Sequence, residues 1–227
     1  MNREVWKLEY FSEAEPTDWI CSKCFLGSLF LKTKPAINSN DQFTAHLKCS
    51  NSQCYEEYAC IGNVRYFSSL TRNEVSKIEI GPKYKRFFPV RFSSTLKLFF
   101  LSNNIPKSVT ACIDESFANF WSDICSSANA LRRALEKLLD EQGVQEGKNL
   151  HQRIENYKSN HLDFANLFSA IKLIGNSGSH GDNLTREDLL DAYVIFEHCL
   201  EVLYPAGDRR SAFRLAEEIN SRKSGRV

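Results

Sequence analysis

The spacing of hydrophobic residues changes along this chain near residue 105. Before about residue 80, short apolar runs alternate with turn clusters of Asn, Ser and Asp, which is typical of a small sheet. The predicted strands cover 28–31, 43–48 and 58–67. From Pro106 onward, apolar residues recur at the i, i+3, i+4 and i+7 spacing of amphipathic helices. The pattern therefore predicts an α+β chain in which a β-rich region precedes an all-α region.

Glycines and capping residues divide the second half into separate helices. One apolar face runs from Phe117 to Leu139, with a break expected near Ser122 or Ser126. Thr185 is a suitable N-cap for a later helix, because its hydroxyl accepts hydrogen bonds from a first turn. The other predicted helices cover 150–158, 163–174, 186–204 and 205–227. The chain is therefore divided into a β domain, a linker and a helical domain at 1–80, 81–104 and 105–227.

Composition limits the location and the partners of the protein. The chain has 227 residues, of which 42% are hydrophobic, and its formal net charge is +1. Such a charge creates no global field toward nucleic acid. No apolar run reaches the roughly 18 residues of a membrane span, and residues 1–7 are too charged for a signal peptide. We therefore expect a cytoplasmic protein with no membrane partner.

The cysteines are concentrated near the N-terminus. In a cytosolic chain such clustering points to a metal before disulfides. Two pairs with x2 and x4 spacing provide the four thiolates of a closed tetrahedral zinc site in a zinc ribbon: Cys21, Cys24, Cys49 and Cys54. His46 and Cys60 are alternative ligands close to the second pair. Since a closed site has no open coordination position, the zinc is expected to be architectural.

Residues 81–92 place basic side chains among aromatic ones. This combination can hold a phosphodiester strand while its bases stack. An extended linker whose aromatic side chains pack on the helical domain explains the same composition. In the nucleic-acid interpretation, the candidate RNA-binding residues of this stretch are Lys83, Lys85, Arg86 and Arg91.

A glycine-rich segment with a histidine follows the predicted helix 163–174. Gly175, Gly178 and Gly181 permit positive φ angles and the close approach of another element. Apart from serines, only Asn176 and His180 offer both a donor and an acceptor there. The segment is either a helix C-cap, whose histidine bonds a nearby carbonyl, or part of a site.

Three blocks of the helical half resemble a HEPN-like domain family, an uncharacterised bacterial family that often carries an N-terminal zinc ribbon. The blocks lie in the family's order at 130–138, 147–154 and 171–181. The resemblance covers about 105–204 and implies an all-α HEPN-like helical bundle that forms a homodimer. A helix face rich in large aromatic residues is the expected dimer contact: Phe117, Phe120 and Trp121.

The resemblance also implies an Arg-polar-x3-His motif that cleaves RNA without a metal. Asn176 matches the polar position and His180 the histidine, so these two are the candidate catalytic residues. The arginine position is Gly175, which supplies no cation for the phosphorane charge. An ion pair with Glu136 at i, i+4 explains Arg132 as a surface residue. Arg132, Arg133 and Arg186 could each approach the motif in three dimensions, and Lys172 lies about one helical turn before it. Of these cations, Arg133 and Lys172 are candidates for RNA binding.

These features favour a HEPN-like RNA-binding or RNA-processing protein of bacterial defence or restriction type, with a degenerate nuclease motif. The alternative is a non-enzymatic zinc-ribbon adaptor that dimerises through its helical domain and recruits a protein partner. A DNA-binding regulator is less favoured, since the sequence contains no identifiable recognition helix. It also contains no phosphate-binding loop or nucleophile elbow, which argues against nucleotide hydrolysis.

Overall fold

The structure is a computed structural model that describes residues 1–13, 17–72, 78–144, 147–158, 161–180 and 184–205, with the backbone alone described at 69–72, 78–83 and 179–180. Within these residues the chain forms five strands and six helices. No helix in this part of the chain is long and apolar enough to cross a membrane. The predicted polar helix over 205–227 lies outside the described residues after residue 205.

One antiparallel sheet forms the first half of the chain. Its strands are β1 (Leu29–Leu31), β2 (Ala36–Ile37), β3 (Gln42–Cys49), β4 (Glu57–Arg72) and β5 (Ile78–Phe92). Their order is β1-β3-β4-β5, and β2 also pairs with β3. Alternate residues of β3 are buried, namely Phe43, Ala45 and Leu47, as expected for a strand covered on one face. The three predicted strands are confirmed, and β4 continues to Arg72.

Much of the predicted linker belongs to this sheet. β5 pairs with β4 from Cys60↔Phe92 to Arg72↔Ile78. Pro89 lies opposite Gly62, beside a register shift, where a missing N–H interrupts the ladder least. Residues 81–92 are thus part of a strand, contrary to the linker interpretation. β5 forms a hairpin with the preceding strand β4, a pairing that the composition of 81–92 by itself does not reveal. The connection between the sheet and the following helices is therefore formed by residues 93–106.

The helices are α1 (Arg3–Lys7), α2 (Lys107–Asn119), α3 (Ile124–Glu141), α4 (Leu150–Lys158), α5 (Leu162–His180) and α6 (Arg186–Leu203). The predicted break near Ser122 is confirmed, since the Asp123 carboxylate caps α3 and accepts hydrogen bonds from the N–H groups of Cys125 and Ser126. Thr185 caps α6 as predicted, in a reciprocal capping box with Asp188. Helix α1 was not predicted.

Helix α5 continues through the glycine-rich segment, so the prediction that it ends at Ile174 is wrong. A Cβ added at Gly175 would lie 2.6 Å from the Cβ of Arg132, and one at Gly178 would lie 2.8 Å from the carbonyl oxygen of Cys125. Both contacted residues belong to α3. The glycines therefore allow α5 and α3 to pack closely and do not serve to turn the chain. Gly181 lies outside the described residues.

An aromatic junction joins the sheet to the helices. The ring of Trp121, which follows α2, lies 4.6 Å from Trp19 and 5.2 Å from Phe92 of β5, measured between centroids. Phe117 and Phe120 are fully buried. The expected dimer face is therefore not an exposed surface. Trp19 and Phe92 pack on Trp121, and the ring of Tyr193 packs on Phe117 and Phe120 within the same chain.

Candidate functional site

The four predicted metal ligands lie together beside the ends of β1, β3 and β4. All four sulfur atoms are within 4.8 Å of one another, with 3.8 Å between Cys21 and Cys54 and 3.6 Å between Cys24 and Cys49. A zinc ion held tetrahedrally at about 2.3 Å requires sulfur separations of about 3.8 Å. These four residues, here called the cysteine cluster, therefore fit a metal ion.

Two tight turns hold the thiols in place. In the first, the Phe25 N–H donates to the Cys21 carbonyl at 2.9 Å, and Phe25 has a φ of 53°. In the second, the Asn51 N–H donates to the Cys49 sulfur at 3.4 Å. A Cβ at Gly27 would lie 2.6 Å from that sulfur. The two turns thus meet only because residue 27 has no side chain.

The thiols of the cluster have very different acidities. Burial raises the pKa of Cys49 to about 12. Burial also raises the pKa of Cys24, but backbone hydrogen bonds at Gly27 and Leu26 outweigh it and bring that pKa to about 6. Several thiolates this close repel one another. A bound cation resolves this conflict because it coordinates deprotonated sulfur.

The two alternative ligands do not join the cluster. His46 is exposed on β3, opposite Ala59 of β4. Cys60 is buried within the sheet, and this burial raises its pKa to about 12. Among the described residues, the group that can hold a metal consists of the four predicted cysteines.

The side chain of Arg132 lies across Gly175. An added Cβ at Gly175 would be 2.6 Å from the Arg132 Cβ and 3.1 Å from its Cδ. The Nη2 atom of Arg132 is 3.4 Å from a carboxylate oxygen of Glu136, which confirms the predicted ion pair. Its Nε is buried with no hydrogen-bond partner among the described residues. Arg132, Gly175 and the adjoining Asn176 are here called the α3–α5 surface.

Lys172, Asn176 and His180 are spaced four residues apart on α5, so the three positions share one side of the helix. Asn176 is half-buried, and the side chain of His180 lies outside the described residues. The Nζ of Lys172 is 3.4 Å from the Nδ1 of His151 on α4. The three candidate positions thus lie within α5, which continues past its predicted end at Ile174.

The other two candidate arginines point elsewhere. Arg133 forms an ion pair at 2.5 Å with Glu115 of α2. The guanidinium of Arg186 lies 3.8 Å from the ring centroid of Phe120, and its Nε donates to the Trp6 carbonyl at 3.2 Å. Burial lowers the pKa of Arg186 to about 10. Of the three arginines that could approach the motif, Arg132 is therefore the one that lies beside Gly175.

The basic residues of β5 are distributed over both faces of the strand. Arg86 and Lys85 project to opposite faces because neighbouring strand residues alternate. Arg91 is exposed opposite Ile61, and the side chain of Lys83 lies outside the described residues. Sequence analysis missed Arg65, which lies directly opposite Arg86 on β4. Only the strand register reveals that pair.

Comparison with known proteins adds one finding. Residues 114–223 match the family model of a domain of unknown function, DUF4145. The match begins within α2 and includes α3 to α6, so it contains the α3–α5 surface but not the sheet or the cysteine cluster. No curated protein and no solved structure matches the chain.

Proposed function

We propose that this protein binds RNA through the α3–α5 surface, as a HEPN-like protein of bacterial defence type. The observation that carries the proposal is the position of Arg132, whose side chain covers Gly175 and whose buried Nε has no hydrogen-bond partner among the described residues. The Nε itself is buried, but the Arg132 side chain is 33% exposed, and a guanidinium beside an asparagine suits a phosphate group. The side chain that crosses from α3 thus takes over part of the role of the arginine absent at position 175.

In this proposal the site retains RNA without rapid cleavage. The carboxylate of Glu136, 3.4 Å from the Arg132 Nη2, offsets part of the arginine charge. Stabilisation of developing charge is usually the largest contribution to such catalysis. Asn176 and His180, assigned from the motif, contact the same RNA. Zinc in the cysteine cluster has an architectural role, because four thiolates leave no coordination position open.

Two adjacent arginines provide a matched test. Arg132→Gln and Arg133→Gln each remove one positive charge, but only Arg132 lies on Gly175, whereas Arg133 pairs with Glu115. Retention of mixed RNAs in magnesium-free buffer is expected to weaken about tenfold in the first variant, as for the loss of one hydrogen bond to a charged group. It is expected to change little in the second. Equal losses in both variants, or no loss in either, contradict the proposal.

His180→Ala separates a ligand role from a structural one. We expect weaker RNA retention with an unchanged melting temperature, because a residue that contacts a ligand contributes little to the core. A histidine that only bonds a buried group would instead cost about 1 to 3 kcal/mol of stability and leave RNA retention intact. Thermal melting and filter retention of the same samples distinguish the two results.

A second candidate function is a dimeric adaptor. Leu162 and Leu173 of α5 are 58% and 60% exposed, and their spacing puts both on the same side of the helix. Leu26 and Tyr55, which adjoin the cysteine cluster in sequence, are also exposed. Such side chains suit contacts with protein. Light scattering of the wild type and of Leu173→Ser tests this function, since an adaptor dimer should dissociate in the variant.

A further inference from the structure

The outer face of the β4–β5 hairpin carries arginines between aromatic rings. Val64 and Phe87 are buried, so the alternation of strand residues puts Arg65 and Arg86 on the opposite, outer face. Six side chains, here called the ladder, lie on that face: Tyr10, Arg65, Phe67, Tyr84, Arg86 and Phe88. Tyr10 joins them because its neighbour Phe11 pairs with Phe87 along the edge of β5.

In the ladder, guanidinium groups lie over aromatic rings. The Arg65 guanidinium lies 4.3 Å from the ring centroid of Phe88. The Arg86 guanidinium lies 4.2 Å from Tyr10, 4.7 Å from Phe67 and 5.3 Å from Tyr84. The rings of Phe67 and Tyr84 are stacked, with an angle of 22° between their planes. Tyr84 remains 42% exposed, so the outer end of the ladder is open to a ligand.

The register of the hairpin puts two positive charges opposite each other. Arg65 pairs directly with Arg86, and like charges at directly opposite positions destabilise a sheet. Among the described residues neither arginine has a carboxylate within ion-pair distance. The paired segments 61–68 and 83–91 contain basic residues and no acidic residue. An anion between the two arginines would remove this repulsion.

A cavity continues the outer face beyond Phe88. Its volume is about 500 Å³, and its lining includes Ile37, Gln42, Thr44, Ile61, Asn63 and Val90. Asn63 lies opposite Phe88 and two residues before Arg65, so the cavity adjoins the ladder. Amide side chains can hydrogen-bond the edges of bases, and the aliphatic ones can cover their faces.

We propose that the ladder binds single-stranded RNA, with bases stacked on Tyr84 and the neighbouring rings and phosphates held by Arg65 and Arg86. This inference rests on the proposed RNA-binding function and specifies the form of the RNA. Rings that offer exposed faces beside guanidinium groups are the means by which proteins bind unpaired strands. A base-paired helix keeps its base faces stacked inside and does not fit a flat row of rings.

Two matched pairs of variants test the ladder. Arg65→Gln and Lys85→Gln remove one charge from opposite faces of the hairpin, and the Lys85 ammonium instead lies 6.0 Å from the Tyr66 ring. Tyr84→Leu and Tyr66→Leu remove rings that are 42% and 48% exposed. Fluorescence anisotropy with a labelled single-stranded RNA of about 12 nucleotides, within the usual site size, reports binding. A duplex of the same sequence is the second probe.

We expect Tyr84→Leu to weaken single-strand binding about 5- to 150-fold, the range for loss of one stacked base. Arg65→Gln should lower the slope of log affinity against log salt by about 0.7, as for one phosphate contact to a single strand. The strand register puts Lys85, a candidate RNA-binding residue in the sequence, on the same face as Tyr66 and outside the ladder. Lys85→Gln and Tyr66→Leu should therefore bind nearly as the wild type does. Equal losses of RNA affinity in the variants on both faces would contradict RNA binding by the ladder. If the duplex binds as tightly as the single strand, the single-strand proposal is wrong but the proposed RNA-binding function stands. If the protein binds neither probe, both proposals are wrong.

Discussion

The sheet region and the helical region achieve burial by different means. In α3, Leu131, Leu135 and Leu138 follow one another at helical spacing and are almost fully buried, so a local pattern defines the core. In the sheet, the buried Phe43 packs on Phe87, far along the chain, at 5.2 Å between centroids. The helical region therefore depends on regular apolar spacing, whereas the sheet region depends on strand register and on the cysteine cluster.

Loss of one metal ligand should produce the largest difference in stability between the sheet region and the helical region. Structural zinc contributes on the order of 10 kcal/mol to small folds, so Cys24→Ser is expected to unfold the sheet region and leave most helical circular dichroism. The fluorescence of Trp121 should shift to longer wavelength because Trp19 no longer covers it. Metal analysis of the wild type should find about one zinc per chain.

Cys112→Ser is the control, since Cys112 lies on α2 outside the cluster. Wild-type protein purified without chelator that holds no metal would refute the zinc assignment. Complete loss of helical signal in Cys24→Ser would show that the helices do not fold without the sheet.

A substitution at the contact between α3 and α5 tests how closely the helical region is packed. Gly175→Ala should destabilise the protein by about 1 to 3 kcal/mol, as expected for overpacking, because its methyl group meets the Cβ of Arg132 at 2.6 Å. Gly147→Ala is the control and should cost less than about 0.5 kcal/mol, since Gly147 lies before α4 and its methyl would be 3.2 Å from the nearest side-chain atoms of Gln152 and Arg153. Urea denaturation measures both values, and a neutral Gly175→Ala would refute close helix packing.

A buried polar network tests how far apolar spacing describes the helical core. The Tyr193 hydroxyl lies 2.6 Å from the Ser116 hydroxyl and 2.8 Å from that of Ser127. Tyr193→Phe should cost about 1.5 kcal/mol, the upper range for one neutral hydrogen bond. Tyr55→Phe, at an exposed position, should cost nothing measurable.

The same tyrosine gives an alkaline pH dependence. Burial raises the pKa of Tyr193 to about 12, whereas an unfolded tyrosine ionises at about 10. The unfolded state therefore loses its proton first, and stability should fall as the pH rises from about 10 toward 12. In Tyr193→Phe this fall should be smaller, and an identical fall in both proteins would assign it to other groups.

The smallest expected effect concerns the start of α3. Asp123→Ala should cost about 1 kcal/mol, the typical value for a lost N-cap. Hydrogen bonds from Ser126 lower the pKa of Asp123, so its contribution is present above about pH 3.9 and is lost as the pH falls below that value. Asp123→Asn keeps the cap and should remove this acid dependence. Chemical denaturation at pH 7 and at pH 3 compares the variants, and a similar acid loss in Asp123→Asn would contradict the assignment.

Local signals accounted for the parts of the fold that a few neighbouring residues decide. The strands at 28–31 and 43–48, the helix 150–158 and the Thr185 cap follow from spacing and capping chemistry within one or two turns of chain. The cysteine cluster was also predictable, because the short spacing within each cysteine pair lets a tight turn hold its two thiols together.

Tertiary packing decided the remaining features. Glycine often ends a helix, but Gly175 and Gly178 remain helical in α5 because they pack directly against Arg132 and the Cys125 carbonyl of α3. The stretch 81–92 becomes a strand because β4 supplies its hydrogen-bond partners. The sequence by itself thus determined the local elements and the cysteine pairs. Only the tertiary structure decided which arginine lies beside Gly175 and which arginines face each other, since those contacts join residues distant in the chain.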